Sequence, residues 1–387
     1  MALGGAARVR EISAVRYFDH NATHPLSAAA RTAWLAAVAR FPANPSSPHR
    51  WGARAEAALH DARLAVAAWL DAPPLDIVWT SGATEAANML MHSAARQGSG
   101  EAWVSAIEHP CVIAAARRWF GNRVRQIPAT PEGVVDLNWL DHRIRRAHPD
   151  LVAIMAANNE TGVLQPWPAA LAWCREHGVA FACDAAQWIG RLPAQGLGGA
   201  DYVFGCAHKF GGPLGVGFMK APGTFHPLLV GGPQEDGRRA GTENVAGILA
   251  MRAAWEEREQ AMREGAVMRL EPHRDAFIGQ LKERLPGGAI LGEGCPRLWN
   301  TVAALMPPVV DCRRRWVVQL DRLGFAVSTG SACASGKEQP SHVLRAMGVP
   351  DATADRVLRF SAGWETGAAD WQALLDAVLT AAREMAR

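Results

Sequence analysis

Tyr202-Val-Phe-Gly-Cys-Ala-His-Lys-Phe-Gly-Gly-Pro-Leu-Gly-Val-Gly-Phe-Met219 places two short apolar runs, Tyr202–Phe204 and Gly215–Met219, on either side of a glycine-rich turn that carries a lysine. Runs of this length bounded by glycine read as strands buried on both faces. The pattern recurs upstream at Ile77-Val-Trp-Thr80, Ala102-Trp-Val-Ser-Ala-Ile107, Leu151-Val-Ala-Ile-Met155 and Ala180-Phe-Ala-Cys183. Amphipathic helical stretches lie between these runs at Thr84–Gln97, Pro110–Phe120 and Pro166–His177. Strand and helix in alternation predict an α/β fold, a mainly parallel sheet covered by helices on both faces, with its sites at the carboxyl ends of the strands.

Beyond Asn244 a helical pattern rich in Ala, Met, Glu and Arg continues past Gly265 to Leu285 and stops at Pro286-Gly287-Gly288. Strand-like runs at Thr301–Leu305, Ala326–Ser328 and Val357–Phe360 follow, with helices near Arg313–Leu323 and Trp371–Arg383. A chain of 387 residues exceeds what one core usually supports, so two domains are expected. Residues 19–254 form the larger, and residues 1–18 with 255–387 form a smaller α+β domain. The net charge of +3 is small, and the clusters Arg143–Arg146 and Arg313–Arg315 lie on helical patterns without aromatic residues among them, which argues against nucleic acid. No apolar stretch reaches the length of a membrane span, and the first ten residues have no signal-peptide core, so a cytoplasmic protein is expected. Seven cysteines form no Cys-x-x-Cys pair, which leaves no expected metal site and predicts mostly reduced core thiols.

Of 40 basic side chains only Lys209, Lys220, Lys282 and Lys337 are lysines. Arginine replaces lysine on a wet surface but cannot form a Schiff base. Lys209, desolvated in its glycine-rich turn, would lose pKa and become an amine nucleophile. Twenty-five residues earlier Asp184 ends a strand in Cys183-Asp-Ala-Ala-Gln187. Alone it reads as a helix cap. Beside Lys209 it reads as the carboxylate that keeps a pyridine nitrogen protonated, with Gln187 on the ring hydroxyl. Ser81-Gly-Ala-Thr-Glu-Ala-Ala-Asn88 follows a strand and opens a helix, which suits a phosphate and equally suits a plain capped turn. Lysine, carboxylate and phosphate seat together predict pyridoxal phosphate held on Lys209.

These three motifs resemble the cofactor site of the class V aminotransferases, and specifically of the cysteine desulfurases. The resemblance runs from Tyr17 to about Thr366 and includes Phe18-Asp-His-Asn-Ala-Thr-His-Pro25, Glu108-His109, Asn158-Asn-Glu-Thr-Gly162, Arg239-Ala-Gly-Thr-Glu-Asn244, Gly330-Ser-Ala-Cys333, Ser341-His-Val-Leu344 and Arg359-Phe-Ser361. It implies fold type I of the pyridoxal phosphate enzymes, with a seven-stranded sheet. It also implies that Lys209 is the Schiff-base lysine, that Asp184 partners the ring nitrogen, that Gln187 contacts the ring hydroxyl and that His109 stacks on the ring. Ala83, Thr84, Cys206 and His208 would bind the phosphate, joined by Thr242 from the other subunit of a homodimer. Asn158 and Arg359 would hold the substrate carboxylate.

Cys333 lies among Ser, Gly and Ala with no apolar pattern to bury it, and a thiolate there could take sulfur from the substrate and carry it outward. The activity implied is removal of sulfur from L-cysteine. Alanine and a Cys333 persulfide result, the persulfide serving a sulfur-acceptor protein or small molecule, as in the longer-loop desulfurases of iron–sulfur cluster assembly. His109 would give or take protons. Two readings compete: another class V activity, such as a selenocysteine lyase, C–S lyase or aminotransferase, and a catalytically silent binding protein. Ala334, Gly336, Lys337 and Gln339 depart from the commonest forms of the loop around Cys333, and three further departures fall elsewhere in the motifs. Cys206 replaces a serine, which predicts a slightly weaker hold on the phosphate unless it serves as a second thiol beside the cofactor. His20 and His24 replace Asn and Thr, which predicts two imidazoles near the site entrance.

Overall fold

The computed structural model describes residues 15–330 and 341–385. Cys333, which carries the sulfur-transfer reading, lies outside the described residues. In chain order the elements begin with β1 (Arg16–Tyr17), α1 (Ala28–Arg40), α2 (Arg50–Leu70), β2 (Ile77–Thr80), α3 (Ala83–Gln97), β3 (Glu101–Ser105), α4 (Pro110–Phe120), β4 (Val124–Ile127), α5 (Asn138–Ile144), β5 (Pro149–Ala153), α6 (Trp167–His177), β6 (Ala180–Asp184), β7 (Tyr202–Cys206) and β8 (Gly217–Lys220). They continue with α7 (Val245–Arg263), α8 (Ala266–Arg284), β9 (Ala289–Ile290), β10 (Thr301–Leu305), α9 (Cys312–Arg322), β11 (Phe325–Ala326), α10 (His342–Ala346), α11 (Asp351–Ala354), β12 (Val357–Ser361) and α12 (Ala368–Met385).

Seven strands form one sheet in the order β2-β8-β7-β6-β5-β3-β4. The pairs from β7 to β4 are parallel, whereas β8 runs antiparallel to both β7 and β2. The period-two alternation of the strands divides their side chains between two cores. On β5 and β6, Val152, Phe181 and Cys183 pack with side chains of α2, α6 and α7, while Leu151, Ala153 and Ala182 pack with those of α3 and α4. A third core gathers Phe18, Phe277, Val302, Trp316, Phe325, Phe360 and Trp371 around a three-stranded sheet ordered β12-β10-β9. The first core also takes in Ala303, Val343, Leu344 and Val357 from the C-terminal part of the chain.

One helix expected to run through residue 265 is two. Gly265 adopts φ +74, in the left-handed region, and stands as the N-cap of α8. The amphipathic pattern continues on either side of the break, so it hides the interruption. The edge strand β4 escapes a reading of apolar runs because Val-Arg-Gln-Ile is mostly half-exposed or exposed.

Candidate active site

At the carboxyl ends of the parallel strands lies a cavity of about 740 Å³. Ala83, Thr84, His109, Asp184, Gln187, Cys206, His208, Lys209 and Arg359 all line it. The fold accounts for each position. Asp184 is the last residue of β6, Cys206 the last of β7, and His208 and Lys209 occupy the single turn that follows. Ala83 and Thr84 open α3 directly after β2, and His109 is the N-cap of α4 after β3.

Lys209 Nζ donates to the backbone oxygens of Asn21 at 2.7 Å and Ala22 at 2.9 Å. Burial lowers its pKa, with the Arg359 and Arg191 guanidiniums acting in the same direction. Asp184 is 6% exposed, and its Oδ1 accepts the Ala186 N–H at 2.9 Å. Burial raises its pKa to about 6. Among the described residues no cation stands within ion-pair distance of it, so the site contains a desolvated carboxylate that a cationic ring nitrogen would relieve. α3 begins at Gly82 without a side-chain cap, so its first-turn N–H groups are left to be satisfied from the cavity side. The Cys206 thiol takes a hydrogen bond from the Ala83 backbone, and burial pushes it up to about 11, so it stays protonated. His208 Nδ1 lies 3.2 Å from Thr23 Oγ1, and burial lowers its ring to about 4. These donors, the buried carboxylate and the lysine amine fit pyridoxal phosphate.

Arg359, 1% exposed, reaches the cavity from β12. It donates to Asp19 Oδ1 at 2.6 Å, to Asn159 O at 2.8 Å and to Gly330 O at 3.0 Å, and among the described residues its Nε has no hydrogen-bond partner. Gln187 donates to Asn21 O at 3.0 Å and accepts from Arg191 at 2.5 Å.

Two candidates stand off the cavity wall. Asn158 is fully buried, its amide donating to Ile107 O at 3.0 Å while its oxygen accepts the N–H groups of Glu160 and Thr161 at 2.9 Å each. The wall residues there are Asn159 and Glu160. Thr242 is exposed and is not among the cavity-lining residues of its own chain. The imidazoles expected at the entrance are inside the protein instead. His20 and His24 are 6% and 8% exposed, with rings 4.6 Å apart, packed by Tyr17 and beside Arg191 and Arg258. Burial lowers them to about 2 and about 4, so both are neutral wedges and neither lines the cavity.

The site also uses residues that the sequence did not single out. Asn21 binds Lys209 and Gln187 through its backbone oxygen and Thr301 through its side chain at 2.9 Å. Arg191, 2% exposed, fastens Gln187, His20 and the Lys209 carbonyl together. Cys111 and Glu160 line the wall. Asn21 and Glu160 lie inside motifs of the resemblance and Cys111 lies two residues after one, which was the available signal; for Arg191 there was none.

The family model for the class V aminotransferases matches residues 16–374. This chain belongs to that family. Its members depend on pyridoxal phosphate, in keeping with the fit of the cavity. The chain is 37% identical over 359 residues to a cysteine desulfurase of Klebsiella pneumoniae, covering 89% of this chain and 87% of the relative. A solved NifS-like protein superposes with a TM-score of 0.86 at 29% identity, covering 95% of this chain and 99% of the other. A solved SspA in complex with cysteine gives 0.76 at 26% identity, over 89% and 98%. No helix among the described residues is long and apolar enough to cross a membrane.

Proposed function

We infer that this class V enzyme is a cysteine desulfurase. The observation that carries the inference is the meeting, in one cavity, of Lys209 Nζ, the desolvated Asp184 carboxylate and the Arg359 guanidinium. Pyridoxal phosphate, when bound, supplies an electron sink for the α-carbon of an amino acid. Asp184 would keep the ring nitrogen protonated, the first turn of α3 with Cys206 and His208 would receive the phosphate, and Gln187 would meet the ring hydroxyl. Lys209 would anchor the cofactor, and burial lowers the pKa of its Nζ, the direction that suits an amine asked to carry a proton.

Arg359 takes the carboxylate of L-cysteine, for which a planar guanidinium fork is matched. Asn158 acts one step removed, holding the turn that presents Asn159 and Glu160. Cys333 receives the substrate sulfur as a persulfide, and the substrate leaves as alanine. The working unit is a homodimer in which Thr242 completes the partner's phosphate seat. The persulfide goes to an acceptor, iron–sulfur cluster assembly being the use we propose. The cytoplasm is the expected compartment: the six cysteines among the described residues are all free.

The test is incubation with L-cysteine while alanine, sulfide and the mass of Cys333 are followed together. Borohydride should fix the cofactor to Lys209 and Cys333→Ala should lose persulfide formation. Full persulfide or sulfide output from Cys333→Ala would overturn the reading of that residue, and a wild-type protein that cannot be loaded with pyridoxal phosphate would overturn the whole.

A further inference from the structure

Among the described residues, Arg191 is a buried cation with no carboxylate within ion-pair distance. It lies in the turn after β6, and the hydrogen bonds of its guanidinium go to neutral carbonyls: Nη1 donates to Gln187 O at 2.9 Å and Gln187 Oε1 at 2.5 Å, and Nη2 to His20 O and Lys209 O at 3.2 Å each. Burial and then the Arg359 guanidinium lower its pKa to about 9, which leaves it charged at neutral pH. A charge buried in this way is costly unless an anion arrives to meet it. Arg191 is not among the residues lining the cavity, whereas Gln187 is. The other titratable groups around the guanidinium are His20, His24, Lys209, His208 and Cys206, and its charge disfavours a second cation on the first four.

A guanidinium can only donate and a backbone carbonyl can only accept, so the Gln187 amide has one orientation, with Oε1 on Arg191 and Nε2 on Asn21 O at 3.0 Å. Asn21 alone would supply one neutral hydrogen bond. Arg191 adds a charge-assisted one, roughly twice as strong, and polarises the amide. One N–H of Nε2 is spent on Asn21, and the other is left to donate to a ligand. The turn is held without the guanidinium: the Arg191 N–H donates to Trp188 O at 3.0 Å, and Trp299 Nε1 donates to Arg191 O at 3.1 Å.

We propose that Arg191 is a positioning residue that acts through Gln187, fixing the amide as a donor and standing behind it as a positive charge, so that the ring oxygen of the cofactor is held as an anion. This deepens the desulfurase reading and rests on it for the place of Gln187 at the ring hydroxyl.

The test is the pH titration of the bound-cofactor absorbance in wild type, Arg191→Met, Arg191→Gln, Arg191→Lys, Gln187→Leu and the double variant of Arg191→Met with Gln187→Leu, each loaded with excess pyridoxal phosphate. A donor and a positive charge at the ring oxygen favour the less protonated chromophore, so Arg191→Met should raise the midpoint by about one pH unit, and Arg191→Lys by less. On the Gln187→Leu background the same change should add little. Arg191→Gln also removes the charge but keeps a polar donor, so whichever neutral variant folds gives the answer. In cofactor-free protein with ¹⁵N-labelled glutamine, the Gln187 side-chain amide, identified by its loss in Gln187→Leu, should give one fixed pair of N–H signals that shifts when Arg191 is neutralised. A wild-type midpoint or an unmoved Gln187 amide in the neutral Arg191 variants would overturn the proposal, as would a shift as large on Gln187→Leu as on wild type. A Gln187→Leu enzyme that keeps the wild-type midpoint would instead remove Gln187 from the ring hydroxyl, and with it the reading on which the proposal rests.

Discussion

Asp184 shows how a residue can be chosen against stability. Its folded pKa, about 6, lies above the ordinary aspartate value of 3.8, so the folded state binds the proton more tightly than the unfolded chain. For such a group the stability cost is absent below pH 3.8, grows as pH rises and is complete above pH 6. In cofactor-free protein at pH 8 the isosteric change Asp184→Asn should therefore raise stability, by about 1–3 kcal/mol, with the gain fading as pH falls from 6 toward 4. The same variant should lose desulfurase activity, because an amide cannot hold the ring nitrogen protonated. Denaturant melts of the two cofactor-free proteins across this range would check it, and a gain that is absent or independent of pH would count against a strained carboxylate. That Asp184 and Lys209 share a site was legible, since strand ends in a parallel sheet converge. That Asn158 and the two histidines turn away was not, because sequence spacing gives an element but not the direction in which an irregular segment aims its side chains.

The phosphate seat is a property of elements more than of its residues. β8 runs between β2 and β7, and its first residue, Gly217, pairs with Thr80 on one side and Cys206 on the other. A Cβ at Gly217 would stand 2.7 Å from both Gly205 O and Gly82 Cα, which are backbone atoms that cannot swing aside. Gly217→Ala should push β8 from its neighbours at the point where α3 begins. We expect about 1–3 kcal/mol of lost stability and a roughly ten-fold weaker affinity for pyridoxal phosphate, against a Gly223→Ala control, where the added carbon meets nothing within 4 Å. Equal affinity in the two variants would show that the seat is not set by this packing. The parallel strands that carry the site were readable because each is a short apolar run set between helical stretches. The break at Gly265 and the edge strand β4 were not, since neither leaves a change of pattern in the chain.

At the scale of the molecule, the segment before α7 is pinned to the body and yet presents its tip outward. Glu235, 6% exposed, accepts from Arg63 at 2.9 and 3.0 Å and from the Trp79 N–H at 2.9 Å, and Arg239 reaches Glu85 in the first turn of α3 at 2.8 Å. Buried, hydrogen-bonded ion pairs of this kind fix position more than they add stability. They hold Thr242 on the surface of its own chain, in a segment with exposed Leu229 and Val230, while Leu214 at the cavity wall is 71% exposed. An ordered hydroxyl displayed beside exposed leucine and valine is of use when a second copy covers it, and a two-fold interface would return the same contact to both cavities. Lys209→Ala removes the anchor from one chain, and Thr242→Ala removes the supposed phosphate donor lent to its partner. Each alone should load poorly with pyridoxal phosphate at limiting cofactor. In a mixed dimer the two lesions fall in one site and leave the other intact, so co-refolding the variants in equal amounts should restore roughly a quarter of wild-type sites by random pairing. Cofactor content and persulfide formation that remain at the level of the separate variants would place Thr242 in its own chain's chemistry, or outside the chemistry altogether.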